Sequence, residues 1–350
     1  MTMRIAFIGF GGVGQALAKI LAEQQHRPRT ENLEPVVVAV ADVMKGSVYN
    51  PNGLDIDKLV EAAEGGNLDD YPDTPALTRG LDSLTTIEGT NADVIVEVTY
   101  TDVKTGQPAI DHCRAAFQQR KHVVTTNKGP VALAYHELSS LARENQVLWG
   151  FEGTVMSGTP ALRLPEMTLA GNEINEIRGI LNGTTNYMLT EMEKGKSYEE
   201  ALEQAQVRGY AEADPTSDVS GFDAQYKAAI LAKVVMNAKQ LDVANIPCKG
   251  IDTLQQEDLE RAKKEGKVWR LLATVRRTDD NQVEAFVPPE LLALDDPLAG
   301  MKGTTNAITY ECDLSGTIML TGPGAGLVET GYSLFIDLIH MQKQNMLMKS

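Results

Sequence analysis

Short apolar runs recur along the first 150 residues, each followed by a stretch in which apolar residues return every three or four positions. Met3 to Ile8, Val36 to Ala41, Asp93 to Thr99 and His122 to Thr126 read as buried strands, with Gln146 to Phe151 as a further one. Helical spacing runs over Gln15 to Gln25, with Leu17, Ile20 and Leu21 on one face, and over Pro108 to Arg120 and Val131 to Asn145. Strands this apolar, alternating with helices, predict a doubly wound α/β fold whose parallel sheet is covered on both faces. Residues 43–90 are polar and rich in Gly, Pro and Asp, and read as an excursion holding one helix near Asp57 to Glu64.

The texture changes after Gly158-Thr159-Pro160. A strand is expected at Ile174 to Leu181 and helices at Asn186 to Lys194 and Tyr198 to Arg208, the second opened by a Ser197/Glu200 capping box and stopped by Gly209. The longest apolar helix is expected from Asp223 to Leu241, with Ser220 and Asp223 able to form another capping box. Strands joined by short turns follow at Lys267 to Arg277, Gln282 to Val287, Asn306 to Cys312 and Gly316 to Leu320, predicting an antiparallel or mixed sheet. At 350 residues the chain exceeds the size of one core. It divides into residues 1–150 and an α+β domain of 151–322, with 323–350 returning to the first through Gly322-Pro323-Gly324-Ala325-Gly326 and a helix from about Thr330.

Gly9-Phe10-Gly11-Gly12-Val13-Gly14 matches GxGxxG directly between a strand and a helix, the context in which the motif signals a dinucleotide site of Rossmann type. Gly9 allows the tight turn, Gly11 lets the backbone approach a pyrophosphate, and Gly14 lets helix and strand pack closely. The helix start then offers unpaired N–H groups and the positive end of its dipole. Asp42 ends the second strand, where a carboxylate accepts from a ribose 2′-hydroxyl and repels a 2′-phosphate, which leans towards NAD. Lys45 is close enough to meet that phosphate, or is a solvated loop lysine, so NAD and NADP both stay open. Thr99, at the end of the third strand, and Gly324 complete the candidate cofactor residues.

The net charge of −16, from 32 Lys and Arg against 48 Asp and Glu, argues against nucleic-acid or anionic-membrane binding. Cys113, Cys248 and Cys312 lie far apart without CxxC spacing, as expected of small buried side chains in a reducing compartment. The five histidines, His26, His112, His122, His136 and His340, form no metal-spaced cluster. No leader or membrane-spanning run is visible, so a cytoplasmic protein is expected.

Asp223 and Lys227 stand four apart at the start of the apolar helix and share a face. A lysine beginning a buried helix needs a partner. Such a pair is an ordinary helix salt bridge, or an amine set up for proton transfer. Glu212, Asp214 and Asp218 cluster in a polar loop without EF-hand spacing, and Asp214 before Pro215 suits a turn. Lys128, in Thr125-Thr126-Asn127-Lys128, follows a parallel strand at its carboxyl end, where open α/β sheets bind ligands.

Asn182-Gly183-Thr184-Thr185-Asn186, Gly209 to Pro215 and Asp218 to Lys227, in this order after the fingerprint, resemble the signature of homoserine dehydrogenase, over essentially the whole chain. The resemblance implies an oxidoreductase that interconverts aspartate 4-semialdehyde and homoserine with NAD or NADP, in threonine and methionine biosynthesis. It implies Lys227 as the proton donor to the aldehyde oxygen, Asp223 as its orienting partner, and Lys128 between substrate and nicotinamide. Glu212 and Asp218 would receive the substrate ammonium, with Thr184 and Tyr210 adding hydrogen bonds. Phe151 to Pro160 resembles the family's monovalent-cation loop, with Na⁺ or K⁺ on Glu152 and the carbonyls of Val155, Ser157 and Thr159. A homodimer through the later strands is implied as well. The chain stops where many bacterial members continue into a regulatory ACT domain and has no preceding aspartokinase, so feedback inhibition through such a domain is not expected. Two rival readings are another amino-acid semialdehyde dehydrogenase, whose acyl-enzyme chemistry needs an activated cysteine, and an inert dinucleotide sensor, which needs neither Lys227 nor the acidic loop.

Overall fold

The computed structural model describes residues 2–24, 27, 30 and 33–349, with side chains described up to residue 344. The end of the first expected helix at Gln25 and the histidine His26 lie outside the described residues. Two compact units emerge, Met1–Gly158 with Gly326–Ser350, and Thr159–Ala325.

The first unit runs β1 (Thr2–Ile8), α1 (Gly12–Ala22), β2 (Glu34–Asp42), β3 (Gly46–Tyr49), α2 (Ile56–Glu64), β4 (Thr78–Arg79), α3 (Ser83–Gly89), β5 (Val94–Glu97), α4 (Ala109–Gln118), β6 (His122–Thr125), α5 (Lys128–Glu144) and β7 (Trp149–Gly150). One seven-stranded sheet results, in the order β4-β3-β2-β1-β5-β6-β7, and β2, β1, β5, β6 and β7 are parallel. Alternation along each strand sorts the core into two faces. Ile5, Phe7, Val94 and Val96 meet Leu17, Leu21 and Leu59 on one side. Ala6, Ile8 and Ile95 meet Ile87, Phe117 and Leu138 on the other. The parallel, doubly wound sheet expected from the apolar runs is therefore present.

The excursion is richer than expected. Its strands β3 and β4 extend the sheet antiparallel from β2, and α3 covers the second face. These strands of four and two residues sit among polar neighbours, too short for an alternation to show. The expected strand Gln146 to Phe151 shrinks to β7. Two helices begin earlier than their apolar periodicity. Gly12 and Gly14 lie inside α1 rather than in the turn, and α5 opens at Lys128, which is a helix residue and not a loop lysine.

The second unit holds α6 (Arg163–Thr168), β8 (Ile174–Ile180), α7 (Gly183–Met192), α8 (Tyr198–Val207), α9 (Thr216–Val219), α10 (Phe222–Val234), α11 (Gln256–Lys264), β9 (Lys267–Leu271), β10 (Ala273–Arg277), β11 (Val283–Phe286), β12 (Pro289–Ala293), β13 (Thr305–Cys312) and β14 (Gly316–Pro323). Five strands form an antiparallel sheet, β11-β10-β8-β13-β14, and β12 pairs with β9. The expected strand Lys267 to Arg277 breaks at Leu272, whose N–H goes instead to the Pro288 carbonyl at 3.1 Å. The Ser197/Glu200 capping box is present. The one suggested for Ser220 and Asp223 is not: α10 starts from Gly221 at φ +83° without a side-chain cap. Its end also comes early, because Asn237 turns left-handed (φ +55°) and Ala238 N–H donates to the Ala232 carbonyl at 2.9 Å.

The final helix, α12 (Leu327–Lys349), belongs to the first unit and packs on α1, where Gly331 fits against Ala16 and Leu17. Cys113 and Cys312 are buried, Cys248 is partly so, and all are free thiols. Among the described residues no helix is long and apolar enough to cross a membrane. Leu17 is fully buried where β1, α1 and α12 meet. Leu17→Ala is expected to cost about 2–5 kcal/mol, read as a lower urea midpoint with unchanged slope; a cost near zero would contradict this packing.

Candidate active site

The glycine loop occupies the carboxyl end of β1, with Gly9 at φ +87°, a conformation open to glycine. A Cβ there would lie 2.6 Å from the Val98 carbonyl oxygen, so two neighbouring strand ends meet over this residue. At Gly14 a Cβ would press on Gly9 and Phe10, whereas at Gly11 it would meet nothing within 4 Å. Gly11 is thus the one glycine of the three that faces open space, as close approach of a ligand to backbone requires. No side chain caps α1, leaving its first N–H groups for an anion.

Asp42 holds this loop from the next strand. One carboxylate oxygen accepts Phe10 N–H at 2.7 Å, and the other accepts Met44 N–H at 2.9 Å and Lys45 N–H at 3.1 Å. Two carboxylate oxygens offer about four acceptor sites, so these three bonds leave capacity for a ligand hydroxyl. The Lys45 carbonyl accepts Leu68 N–H at 2.8 Å, which ties the lysine's backbone to the excursion.

In the second unit, Asn182 caps α7, its Oδ1 accepting Thr185 N–H at 2.9 Å. Its Nδ2 donates to Asp218 at 2.7 Å and to Asp223 at 3.0 Å. Lys227 Nζ donates to the same Asp223 oxygen at 2.7 Å and to the Leu181 carbonyl at 2.6 Å. The lysine side chain is only 8% exposed and Asp223 15%, so this ion pair is sheltered from solvent. Burial, and then the charge of Asp223, push the Asp218 carboxyl above its ordinary range; hydrogen bonds from Asn182 and Thr184 and the charge of Lys227 act the other way. Asn182 carries the geometry of the cluster, a part that motif matching did not assign to it. Its sequence signal was the N-cap pattern Asn-Gly-Thr-Thr ahead of an apolar helix.

Thr184 Oγ1 donates to the Tyr210 carbonyl at 2.6 Å, joining two expected substrate residues through main chain, while the Tyr210 ring packs edge-on to Tyr187. Glu212 is exposed and only its carbonyl is bonded, to Gln206, so its carboxylate is not brought into the cluster. Asp214 accepts from Thr216 N–H at 3.1 Å and from its hydroxyl at 2.6 Å, forming the expected turn. Gly324 follows β14 and rests on the amide of Asn306. In the Glu152 loop, Met156 (φ +57°) and Ser157 (φ +52°) are consecutive left-handed non-glycine residues. Such strain persists only where the surroundings hold it. Asp337 accepts Glu152 N–H at 3.2 Å, and the Ser157 and Thr330 hydroxyls lie 2.8 Å apart. The Thr159 carbonyl accepts Ala161 N–H at 2.7 Å.

Residues 160–339 match the family model of homoserine dehydrogenase and residues 9–152 that of the homoserine dehydrogenase NAD-binding domain. The NAD(+)-dependent homoserine dehydrogenase of Pseudomonas canavaninivorans is 43% identical over 344 residues, 97% of this chain and 96% of that protein. The chain belongs to the homoserine dehydrogenase family. The homoserine dehydrogenase of Methanocaldococcus jannaschii is 40% identical, covering 97% of this chain and 98% of its own length. A crystal structure of a putative homoserine dehydrogenase from Archaeoglobus fulgidus superposes with a TM-score of 0.86 at 32% identity, covering 97% of this chain and 99% of that one. A hyperthermophilic archaeal homoserine dehydrogenase in complex with NADPH gives 0.81 at 30%, covering 98% of each.

As a member of the homoserine dehydrogenase family the chain is an NAD(P)-dependent oxidoreductase. The open face of Gly11, the uncapped start of α1 and the fixed Asp42 fit that cofactor. The neutral form of Asp218 is favoured more in the folded than in the unfolded protein, an advantage complete at low pH and lost as pH rises through the raised pKa. Asp218→Asn, permanently neutral, should therefore raise the thermal midpoint relative to the native chain at pH 7 but not at about pH 3, below the ordinary aspartate value. An equal difference at both pH values would contradict this.

Proposed function

We propose that this protein interconverts L-aspartate 4-semialdehyde and L-homoserine, a step towards threonine and methionine, in the cytoplasm. The observation that carries the reading is the sheltered Lys227 amine held by Asp223 and the Leu181 carbonyl. An ammonium has three N–H donors, and these bonds use two. The third meets the aldehyde oxygen and transfers a proton to it, and in the reverse direction the amine takes the hydroxyl proton. Asp223 keeps the amine oriented. The bound nicotinamide cofactor supplies hydride to the carbonyl carbon, or accepts it in reverse.

Asp218, fixed by Asn182, receives the substrate ammonium, with Thr184 and Tyr210 shaping the same wall and Glu212 adding its charge once substrate is bound. Lys128, at the first turn of α5, is the second amine of the reaction. Of the two cofactors we favour NAD, because Asp42 would repel a 2′-phosphate while its remaining lone pairs suit a ribose hydroxyl. Phe10, Gly12 and Val13 frame the pyrophosphate contact with Gly9, Gly11 and Gly14, and Lys45, Thr99 and Gly324 border the cofactor. The left-handed pair at Met156 and Ser157 supports Na⁺ or K⁺ on Glu152 and the carbonyls of Val155, Ser157 and Thr159. The partly exposed edge strand β14 supports a homodimer.

Lys227→Met is expected to lower kcat with the semialdehyde by roughly 10²–10⁴, with the NADH dissociation constant unchanged; native turnover in this variant would remove the proposed acid. In steady-state assays NADH should exceed NADPH in kcat/KM by at least about tenfold, the scale of one unpaired charge contact. A preference for NADPH would instead assign Lys45 to the phosphate.

A further inference from the structure

The carboxylate of Glu97, the last residue of β5, is fully buried in the first unit. It is satisfied by groups from three elements. Thr99 donates its hydroxyl to Oε1, and His112 of α4 places Nδ1 3.2 Å from the same oxygen. Asn127 Nδ2 donates to Oε2, while Thr125 Oγ1, 3.3 Å from that oxygen, gives its one proton to the Glu97 carbonyl at 2.8 Å. Asn127 is also the N-cap residue of α5, yet its side chain makes no capping bond. It is turned the other way, towards Glu97 and the Thr99 carbonyl at 2.9 Å. An asparagine at this position ordinarily accepts from the first turn of its own helix. Here the helix start is tied to the neighbouring strand through a buried carboxylate, and the first residue of that helix is Lys128.

We propose that Glu97 is a positioning residue for the reaction: it locks the carboxyl ends of β5 and β6 together and so fixes Lys128 at the start of α5. His112 is the only basic side chain within hydrogen-bond reach of the carboxylate among the described residues, and it completes the ring of partners around the carboxylate from the α4 side. A glutamine at position 97 keeps the volume but has one acceptor oxygen and no charge, so it cannot accept from Thr99 and Asn127 at once as the carboxylate does. Asn127 cannot answer by flipping without losing its bond to the Thr99 carbonyl. The charge-assisted bond that holds the helix start is then lost. This inference rests on the proposed role of Lys128 in the reaction.

The test is a double-mutant cycle on kcat with the native chain, Glu97→Gln, Lys128→Met and the double variant, with thermal midpoints and NADH binding measured alongside. Glu97→Gln is expected to lower kcat at least about tenfold in the native background, as misplacement of a reacting group does, and less than about twofold when Lys128 is already methionine. The NADH dissociation constant, measured in all four chains, separates any loss passed on through Thr99, which borders the cofactor and bonds Glu97, from the loss in kcat through Lys128. An equal loss in both backgrounds, or no loss in the native one, would overturn the proposal while leaving the Lys128 role intact. Native kcat in Lys128→Met would remove that role and this inference with it. Should Glu97→Gln fail to fold, the same cycle run with Asn127→Ala decides the matter, because that variant keeps the carboxylate and removes its link to α5 together with the bond to the Thr99 carbonyl.

Discussion

One amide holds two carboxylates together in this protein, and the chemistry of the second unit depends on it. Asn182 donates one N–H to Asp218 and the other to Asp223, while its oxygen is spent on the first turn of α7. The amide cannot turn over, since its oxygen would then face two acceptors. Two neighbouring carboxylates out of bulk water repel each other, and shared donors are what make the arrangement tolerable. Lys227 pairs directly with Asp223 and reaches Asp218 only as a more distant charge. Asp223 is thereby engaged by an amine, while Asp218 bears the burial and the repulsion with less relief, and its pKa moves up. Adjacent acids thus take unequal characters from their surroundings, which is what separate roles in orienting an amine and receiving an ammonium require.

The fold serves this cluster through strand and helix ends. β8 ends just before Leu181, whose carbonyl takes a Lys227 N–H, and Asn182 follows as the cap of α7. α10, buried over most of its length, brings Asp223 and Lys227 on one face. In the first unit the same economy appears at β2, where Asp42 grips the glycine loop through Phe10 N–H before any ligand arrives. A preorganised loop loses less freedom on binding.

Much of this was legible in the sequence because it rests on local rules. The glycine fingerprint between strand and helix, the alternation along β1 and β5, and the Ser197 capping box each follow from a few adjacent residues. What was not legible depended on partners distant in sequence. The strands β3 and β4 exist because β2 offers them an edge, and their own residues are too few to announce it. Asp42 was read for what it could offer a ribose, whereas its bonds to Phe10, Met44 and Lys45 appear only when the loop is folded. Helix starts were placed late at Gly12, Lys128 and Gly183 because apolar periodicity begins after the cap and the first polar turn. The end of α10 was placed late because Ala238 and Leu241 continue the helical spacing past Asn237, and only its left-handed backbone marks the stop. Glu212, assigned with Asp218 from the motif, stands apart from the cluster in this structure, since its loop is held through the Glu212 carbonyl by the Gln206 amide and through Asp214 by Thr216, with its own carboxylate exposed.

The central claim is that the Lys227 amine, steered by Asp223, serves the oxygen that changes between aldehyde and alcohol. A crystal structure of the protein with oxidised cofactor and homoserine tests it most directly. The account predicts Nζ within about 3 Å of the substrate hydroxyl oxygen, with the Asp223 bond retained. An amine still engaged only by Asp223 and Leu181, with the hydroxyl beyond reach even through one water, would contradict it.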